Sequence, residues 1–364
     1  MTTFKSMNTN DHEQVIFCND PDSGLKAIIA IHDTQLGPAI GGCRMYPYAS
    51  EKDALFDVLR LSQGMTYKSA VSDLNFGGGK SVIIGDPTKQ SSEQLFRTFG
   101  RFVDGLNGRY ITAEDVGTDV ATMEWVRIET RHVVGIPTYL GGLGDPSPVT
   151  AHGTFVGIKA SLKKQTGNDD LAGIKVAVQG AGHVGYYLCK ELHENGAKLF
   201  VADINKDALK KVVDEFSATV IKPNEIYSQD VDVFAPCALG ATLNDETIAQ
   251  LKCPVVAGAA NNPLLDEIQH ADVLKKRGIL YAPDYVINAG GLIDVASEFF
   301  GAGRKLAWDR TEGIYNTLLK VYARAEKDNV STAYASKKIA EDRIHGVKRC
   351  KNIFTRRSRR KTGD

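Results

Sequence analysis

A glycine-rich stretch at residues 74–87, LNFGGGKSVIIGDP, contains a lysine that could bind a phosphate or perform acid–base chemistry. A phosphate-binding P-loop requires the pattern G-x-x-x-x-G-K-[ST] between a strand and a helix. Gly79, Lys80 and Ser81 match the end of that pattern, but its first glycine position is Leu74, and the glycines here precede a predicted strand. The pattern therefore disfavours a nucleoside triphosphatase and leaves Lys80 as a candidate for catalysis.

A second lysine, Lys68, belongs to a helix that the sequence predicts over residues 50–70, with Ser50 in its capping pattern. Leu61, Met65 and Lys68 are spaced i, i+4 and i+7, which places the lysine on an apolar, inward-facing stripe. A lysine there is costly unless it meets an anion. The alternative is that its ammonium group extends to solvent.

Two acidic residues, Glu114 and Asp115, close a predicted strand in the segment RYITAEDVGTD. In open α/β sheets ligands bind at the carboxyl ends of strands, so one of these acids could face a cleft. Acidic residues also begin turns at strand ends, and the segment alone does not decide between the two interpretations.

A nucleotide-binding signal occurs in the segment IKVAVQGAGHVG at residues 174–185. Gly180, Gly182 and Gly185 form a G-x-G-x-x-G pattern directly after a predicted strand and before a predicted helix. The next strand ends in Asp203, where a carboxylate can accept hydrogen bonds from a ribose 2′-hydroxyl and repels a 2′-phosphate. This context predicts a Rossmann fold that binds NAD rather than NADP.

The elements that must position these residues form two α/β halves. Apolar runs such as LKAIIAIH, KSVIIGDP and GRYITAE predict strands in the first half, and the second half continues with IKVAVQG, AKLFVADI, VDVFAPC, PVVAGAA and ILYAPDYVIN. Between them, GGLGDPSPVT at residues 141–150 suits a domain crossing. After about residue 310 the chain is predicted to be helical. Its last twenty residues are strongly basic, which is typical of a solvated helix end or, alternatively, of a nucleic-acid-binding or targeting tail.

The composition is that of a soluble globular protein. The chain has 364 residues, 43% hydrophobic and 24% charged, with no net formal charge, so no global charge favours nucleic acid or an anionic membrane. The absence of a long apolar run predicts no membrane span and a cytoplasmic location. Its six cysteines lie far apart without zinc-ligand spacing, so we expect reduced thiols and no metal site.

Several segments together resemble the glutamate/leucine/phenylalanine/valine dehydrogenase family over residues 10 to 345, most strongly its leucine-specific members. They are GPAIGGCRMYPY, GMTYKSAVSDLNFGGGKSVIIGDP, GRYITAEDVGTD, GDPSPVTAHG, VQGAGHVG, CALGATLN and APDYVINAGGLI. The resemblance implies an amino-terminal α/β substrate domain (1–145), a Rossmann domain (146–330), and a carboxyl-terminal helical segment (331–364) that returns to the first domain. It also implies a homo-oligomer that binds neither nucleic acid nor membrane.

The resemblance also implies a reaction and its residues. The family catalyses reversible oxidative deamination of an L-amino acid, with NAD⁺ and water giving the 2-oxo acid, ammonium and NADH. Lys68 matches the lysine that binds the substrate carboxylate, Lys80 the catalytic lysine, and Asp115 the carboxylate that assists it in proton transfer. Further implied substrate residues are Ile40, Gly41, Gly42, Met65, Ala113, Asn288, Leu292 and Val295. Implied cofactor residues are Thr150, Gly180, Ala181, Gly182, His183, Val184, Gly185, Tyr186, Asp203 and Asn262.

The substrate pocket implied by this resemblance is apolar. Glutamate-specific relatives carry a lysine and a serine where this chain has Ile40 and Val295, so a second substrate carboxylate would lack partners. Ala113 resembles the leucine-specific enzymes, whereas Leu292 resembles the aromatic-specific ones. We therefore expect a branched-chain amino acid dehydrogenase preferring leucine. The alternatives are a phenylalanine- or valine-preferring enzyme, an NAD-sensing protein without catalysis, and a nucleic-acid binder that uses the basic tail.

Overall fold

A computed structural model describes residues 3–238 and 240–350 of the chain. The amino-terminal sheet has five strands, β1 (Gln14–Asp20), β2 (Leu25–Asp33), β3 (Ala39–Tyr46), β4 (Gly77–Ile84) and β5 (Tyr110–Glu114). Their order is β1-β2-β4-β3-β5; β2 is antiparallel to both of its neighbours, and β3 is parallel to β4 and β5. The helices of this part are α1 (Thr3–Thr9), α2 (Glu51–Val71), α3 (Pro87–Gln90), α4 (Glu93–Asp104) and α5 (Val120–Glu129).

The second sheet has six short strands, all parallel to their neighbours. They are β6 (Lys175–Gln179), β7 (Lys198–Ala202), β8 (Thr219–Val220), β9 (Val233–Pro236), β10 (Val255–Val256) and β11 (Leu280–Tyr281). Their order, β11-β10-β9-β6-β7-β8, reverses beside β6, the first strand in sequence. This is the doubly wound order of a dinucleotide-binding sheet, so the predicted α/β class with a Rossmann fold is confirmed.

Helices cover this sheet and continue to the end of the described chain. They are α6 (Ser147–Thr166), α7 (His183–Glu194), α8 (Lys206–Phe216), α9 (Asp245–Gln250), α10 (Glu267–Lys276), α11 (Asp284–Ile287), α12 (Gly290–Phe299), α13 (Arg304–Thr311), α14 (Gly313–Asp328) and α15 (Thr332–Cys350). In the described part of the chain, no helix is long and apolar enough to cross a membrane. The predicted basic tail falls mainly on residues 351–364, outside the described residues.

The crossover between the two halves is held by two charged residues of the second half. Both carboxylate oxygens of Glu298 in α12 accept backbone N–H groups, from Leu143 at 2.8 Å and from Ile136 at 3.3 Å. Arg304 donates to the carbonyl of Leu143. The glycine- and proline-rich segment therefore connects the two sheets, as expected, whereas the predicted domain bounds at residues 145 and 330 stay predictions.

The last helix contacts the first half of the chain through Arg343. Its guanidinium donates to the carbonyls of Ala70 and Leu74 near the end of α2, at 3.3 and 2.8 Å, and to Asn75 Oδ1 at 2.9 Å. Ala70 lies in the last turn of α2 and Leu74 in the segment that follows, so this arginine fixes the end of α2 from the last helix.

The structure corrects several local predictions. Residues 77–79, predicted to precede a strand, belong to β4 and pair with both β2 and β3. The segment 279–288, predicted as one strand, divides into β11 and α11 because Pro283 cannot continue the strand ladder. Sequence reasoning did not single out β1, β3 or the two-residue β8 as strands. Gly41 and Gly42 interrupt the apolar pattern of β3, so its sequence does not indicate a strand, although β3 pairs with both β4 and β5 inside the sheet.

Two faces of α2 have different surroundings. The helix begins after Ser50, whose hydroxyl accepts the Asp53 N–H, as predicted. The stripe predicted to face inward, with Met65 and Lys68, lines the cleft, and Met65 also packs against the buried core. The face buried against the sheet carries small and hydroxyl residues, including Ser62 and Thr66. These hydroxyls pair with two buried histidines.

His12 and His32 form this polar network beneath α2. His12 Nε2 lies 2.8 Å from Ser62 Oγ, His32 Nδ1 lies 2.8 Å from Thr66 Oγ1, and the two rings meet edge to face at 4.8 Å. Burial lowers the pKa of each histidine to about 4, and for His12 the neighbouring His32 adds to the effect. Both imidazoles are therefore neutral in the folded protein near pH 7.

We expect His12 and His32 to lower the free energy of unfolding as the pH falls from about 6.5 toward 4, against the opposite contribution of Glu114 and Glu267, whose pKa values burial raises to about 7. The unfolded chain takes up protons on these histidines from about pH 6.5, whereas the folded chain resists protonation until about pH 4. Over the full range from pH 6.5 to 4 this contribution is about 3–4 kcal/mol per histidine. Urea unfolding between pH 7 and 5 checks this. Relative to the wild type, the variant His32→Asn, which keeps a partner for Thr66, should lose less free energy of unfolding as the pH is lowered from 7 to 5; parallel curves for the two proteins would contradict the assignment.

Candidate active site

A cleft of about 440 Å³ is lined by residues from both halves of the chain. It contains residues from within β3 and β4, the end of β5, the outer face of α2, and the segments that follow β10 and β11. All predicted catalytic and substrate residues line it, together with three of the predicted cofactor residues. These are Ile40, Gly41, Gly42, Met65, Lys68, Lys80, Ala113, Asp115, Asn288, Leu292 and Val295, with Thr150, Val184 and Asn262.

Lys80 and Asp115 form an ion pair at the base of this cleft. Lys80 is only 5% exposed, and its Nζ lies 2.9 Å from Asp115 Oδ1. The other carboxylate oxygen of Asp115 accepts a hydrogen bond from Arg44 Nε at 2.8 Å. Burial alone would raise the pKa of Asp115, but the two cations outweigh it and hold that pKa at about 2. Asp115 is therefore an anion shared by two cations.

Arg44 is fixed from its far side by a second carboxylate. Its NH1 lies 3.0 Å from Asp57 Oδ2, and the Tyr48 hydroxyl donates to the same oxygen at 2.6 Å. Asp57 belongs to α2, whereas Arg44 belongs to β3. These contacts link Tyr48, Asp57 and Arg44 to Asp115. They therefore hold the carboxylate that pairs with Lys80 in one orientation.

The packing of α2 on β4 brings the two lysines to one cleft. A Cβ atom at Gly78 would lie 2.1 Å from Thr66 Oγ1 and 2.3 Å from the Thr66 backbone nitrogen. Since neither atom can move away freely, only glycine permits this approach between helix and strand. Gly78 therefore serves helix packing, whereas a Cβ at Gly79, next to Lys80, would lie 2.6 Å from the Tyr110 ring.

Lys68 contacts the second half of the chain across the cleft. Its Nζ donates to Asn288 Oδ1 at 2.7 Å, and the amide nitrogen of Asn288 donates to Asn261 Oδ1 at 2.8 Å and the Ala259 carbonyl at 3.1 Å. Burial lowers the pKa of Lys68 to about 8, partly offset by Asp284. The alternative in which Lys68 extends to solvent is therefore wrong.

The predicted substrate side-chain pocket is apolar. Ile40, Ala113, Leu292 and Val295 are all buried, and Met65 lies beside them on α2. Ile40 lies in β3 and Ala113 lies in the neighbouring strand β5, while Leu292 and Val295 come from α12. The wall is thus built from four elements, β3, α2, β5 and α12, which the fold brings together.

The glycine loop between β6 and α7 has the geometry of an anion cradle. Gly180 has φ +104°, and a Cβ at Gly185 would lie 2.1 Å from the Gly180 carbonyl oxygen. At Gly182 a Cβ would meet nothing within 4 Å, so open space lies beside the backbone there. No side chain caps the start of α7, which leaves its first N–H groups available. These residues fit the pyrophosphate of a dinucleotide.

Three other predicted loop residues have distinct surroundings. Asp203, at the end of β7, accepts the Ala181 N–H at 2.6 Å and the Asn205 N–H at 2.8 Å, which fixes its carboxylate beside the loop. His183 is exposed. The Tyr186 hydroxyl donates to Glu215 of α8 at 2.5 Å, so its side chain is used in packing α7 on α8.

Two known protein-family models match this chain. Residues 12–132 match the dimerisation domain of Glu/Leu/Phe/Val dehydrogenases. Residues 141–206 and 200–357 match the glutamate/leucine/phenylalanine/valine dehydrogenase domain. The chain belongs to this family of amino acid dehydrogenases. It is therefore an enzyme of the class that acts on the CH–NH₂ group, and its family uses a nicotinamide dinucleotide.

Individual relatives in this dehydrogenase family are similar over nearly the whole chain. Leucine dehydrogenase of Geobacillus stearothermophilus is 55% identical, with 97% of this chain and 96% of that protein covered. Phenylalanine dehydrogenase of Bacillus thermotolerans is 50% identical over 97% of this chain and 93% of that protein. The crystal structure of L-tryptophan dehydrogenase from Nostoc punctiforme superposes with a TM-score of 0.83 at 47% identity, covering 95% of this chain and all of that one. The predicted resemblance is thus confirmed.

Sequence reasoning missed several residues of this dehydrogenase site. Arg44, Asp57, Tyr48 and Asp284 were not singled out, although each contributes a charge or hydrogen bond to the cleft. Arg44 carried the clearest signal, since an arginine within the otherwise apolar run AIGGCRMY needs a buried anion. No sequence spacing connects it to Asp115, 71 residues away.

Proposed function

We propose that this protein is a leucine dehydrogenase, which oxidatively deaminates L-leucine and other branched-chain L-amino acids reversibly with NAD⁺. The apolar pocket directly beside two lysines and a carboxylate carries this proposal. The amino acid, NAD⁺ and water give the 2-oxo acid, ammonium, NADH and one proton. The 55% identity to a leucine dehydrogenase supports leucine over the phenylalanine and tryptophan preferences of the less similar relatives.

The two lysines have separate roles in this proposal. Lys68 binds the substrate carboxylate, because its ammonium group faces the cleft and is oriented by Asn288. Lys80 exchanges protons with the substrate amine, and later with the water that attacks the imine carbon. Asp115 keeps Lys80 in place and balances its charge as the proton moves. When bound beside this cleft, NAD⁺ would supply the hydride acceptor for the substrate Cα.

Cofactor contacts follow from the glycine loop and the residues near it. The loop and the uncapped start of α7 bind the pyrophosphate, with Ala181 and Val184 between the glycines. Asp203 binds the adenosine ribose and favours NAD over NADP, since its fixed carboxylate would repel a 2′-phosphate. Thr150 and Asn262 position the nicotinamide end of the dinucleotide.

The decisive experiment is NADH formation with leucine, isoleucine, valine, phenylalanine and glutamate, with NADP⁺ as the cofactor control. We expect leucine, isoleucine and valine to be oxidised with kcat/KM values within about 200-fold of one another, since one methylene contributes about 1–3 kcal/mol. Glutamate should be inactive. A preference for phenylalanine would favour the alternative that Leu292 suggests. NAD binding without turnover of any amino acid would favour a sensor.

Binding of a carboxylate inhibitor should weaken as the pH rises above about 8. The inhibitor 4-methylpentanoate resembles leucine without its amine, so its carboxylate needs the cationic form of Lys68. Because the pKa of Lys68 is lowered to about 8, the dissociation constant should rise about tenfold for each pH unit above that value. Quenching of bound NADH fluorescence measures this. The variant Lys68→Met should bind weakly at every pH; a wild-type profile in that variant would exclude the role.

We also propose that the protein assembles as a homo-oligomer through the half that matches the dimerisation domain. Analytical ultracentrifugation at micromolar concentration should show a species of at least two chains. A monomer at all concentrations would contradict the assembly without bearing on the chemistry.

A further inference from the structure

Asp284 is a buried carboxylate of the cleft that has no role in the scheme above. It is the first residue of α11, is 8% exposed, and lines the cleft together with Lys68 and Asn288. The Asn288 N–H donates to the Asp284 carbonyl at 2.9 Å, so the two residues lie one helical turn apart on the same face. Buried carboxylates are costly, and among the described residues no cation lies within ion-pair distance of this one.

One connection of Asp284 is to the turn on the cofactor side. Its Oδ2 accepts the backbone N–H of Asn262 at 2.6 Å. Asn262 has φ +48°, in the left-handed region, and its carbonyl accepts the Ala241 N–H at 2.8 Å. A short hydrogen bond to a carboxylate holds the turn in this conformation, which a non-glycine residue adopts only with support.

The second connection is to Lys68. Asp284 is the main anion that counters the burial of Lys68; burial raises the pKa of Asp284 in turn, and Lys68 is the cation that opposes this shift. The other charged or titratable groups near the pair are Lys80, Asp115, Glu267, Tyr281 and Tyr285. Of these, Lys80 disfavours the cationic form of Lys68 and Asp115 favours it.

We propose that Asp284 is a positioning residue that connects the two substrates, holding the Asn262 turn by a hydrogen bond and keeping Lys68 cationic by its charge. The inference rests on the proposed function of Lys68 as the carboxylate-binding residue. It gives one side chain two separable actions, one through hydrogen bonding and one through charge. The two actions can be tested with different substitutions.

The test uses the full-length protein with NADH and 4-methylpentanoate between pH 6 and 9. Asp284→Asn keeps an oxygen for the Asn262 N–H but removes the charge. The pH above which inhibitor binding weakens should fall by about one unit, because Lys68 loses its main anion. At pH 6, where Lys68 remains cationic, the variant should bind the inhibitor at least as tightly as the wild type, since repulsion from Asp284 is gone. NADH affinity should stay within about twofold.

Two further variants separate the actions. Asp284→Ala removes the hydrogen bond as well, so NADH affinity should also fall by about tenfold. Asp284→Glu restores the charge and should return the pH profile to that of the wild type. Glu267→Gln is the matched control, because Glu267 senses Asp284 but is not among the groups that act on Lys68; its profile should stay unchanged.

A purely structural role would weaken inhibitor binding by the same factor at every pH. That parallel profile in Asp284→Asn, or an equal shift in Glu267→Gln, would overturn the inference. A wild-type protein that oxidises no branched-chain amino acid would instead reject the proposed function, so the two failures are distinguishable.

Discussion

Replacement of Lys80 by alanine should lower kcat for leucine by about 10,000-fold, the upper range for loss of a general acid–base group. Lys80 Nζ is the amine held at 2.9 Å by Asp115 at the base of the cleft. The fold should persist, because Asp115 keeps its second cation, Arg44. NADH affinity should change little, since the glycine loop lies elsewhere. Steady-state kinetics and NADH fluorescence titration measure the two quantities.

The matched control for this substitution is Lys89→Ala. Lys89 lies in the same half of the chain, its side chain is 79% exposed, and its ion-pair partner among the described residues is Asp86. We expect wild-type turnover from it. If Lys80→Ala kept more than about a tenth of the activity, the acid–base assignment would be excluded.

Replacement of Asp115 by asparagine should impair both turnover and stability. The substitution leaves Lys80 and one side of Arg44 without their shared anion in a buried site. Removing one partner of a buried ion pair costs about 3–5 kcal/mol of unfolding free energy. We expect kcat to fall by about 100-fold or more, because Lys80 loses its orientation and charge balance. Urea unfolding and kinetics at pH 7.5 test the two effects.

The comparison variant is Asp57→Asn, which removes the carboxylate on the far side of Arg44. Arg44 then keeps Asp115, and Lys80 keeps its partner. The decrease in kcat should therefore be at least tenfold smaller than for Asp115→Asn. Equal losses from both substitutions would show that the whole network, rather than the anion at Lys80, limits turnover.

The parts of the site that depend on local patterns could be predicted from the sequence. The glycine loop at 180–185 combines a strand, three glycines and a helix start within a short segment. Lys68 could be placed on a special face of α2 by helical spacing alone. Even here the surroundings needed the structure, because spacing shows that Lys68 and Met65 share a face but not that this face borders a cleft.

The charge network could not be predicted, because its members meet only through the topology. Arg44 and Asp115 come from strands that pair across 71 residues of sequence, and Lys68 reaches Asn288 across 220. The strand β3 was also missed, since two glycines interrupt its apolar pattern and hide its propensity. Pairings that join distant segments leave no periodic trace in a single sequence.

The contact between Arg343 and the end of α2 has a consequence for biosynthesis. The helix that carries Lys68 is complete early in translation, yet the guanidinium that serves the Leu74 carbonyl is encoded 269 residues later. A nascent chain therefore forms its first sheet with those helix-end carbonyls still dependent on water. The hydrogen bonds that fix this end of the Lys68 helix are therefore complete only when the chain has been synthesised through α15.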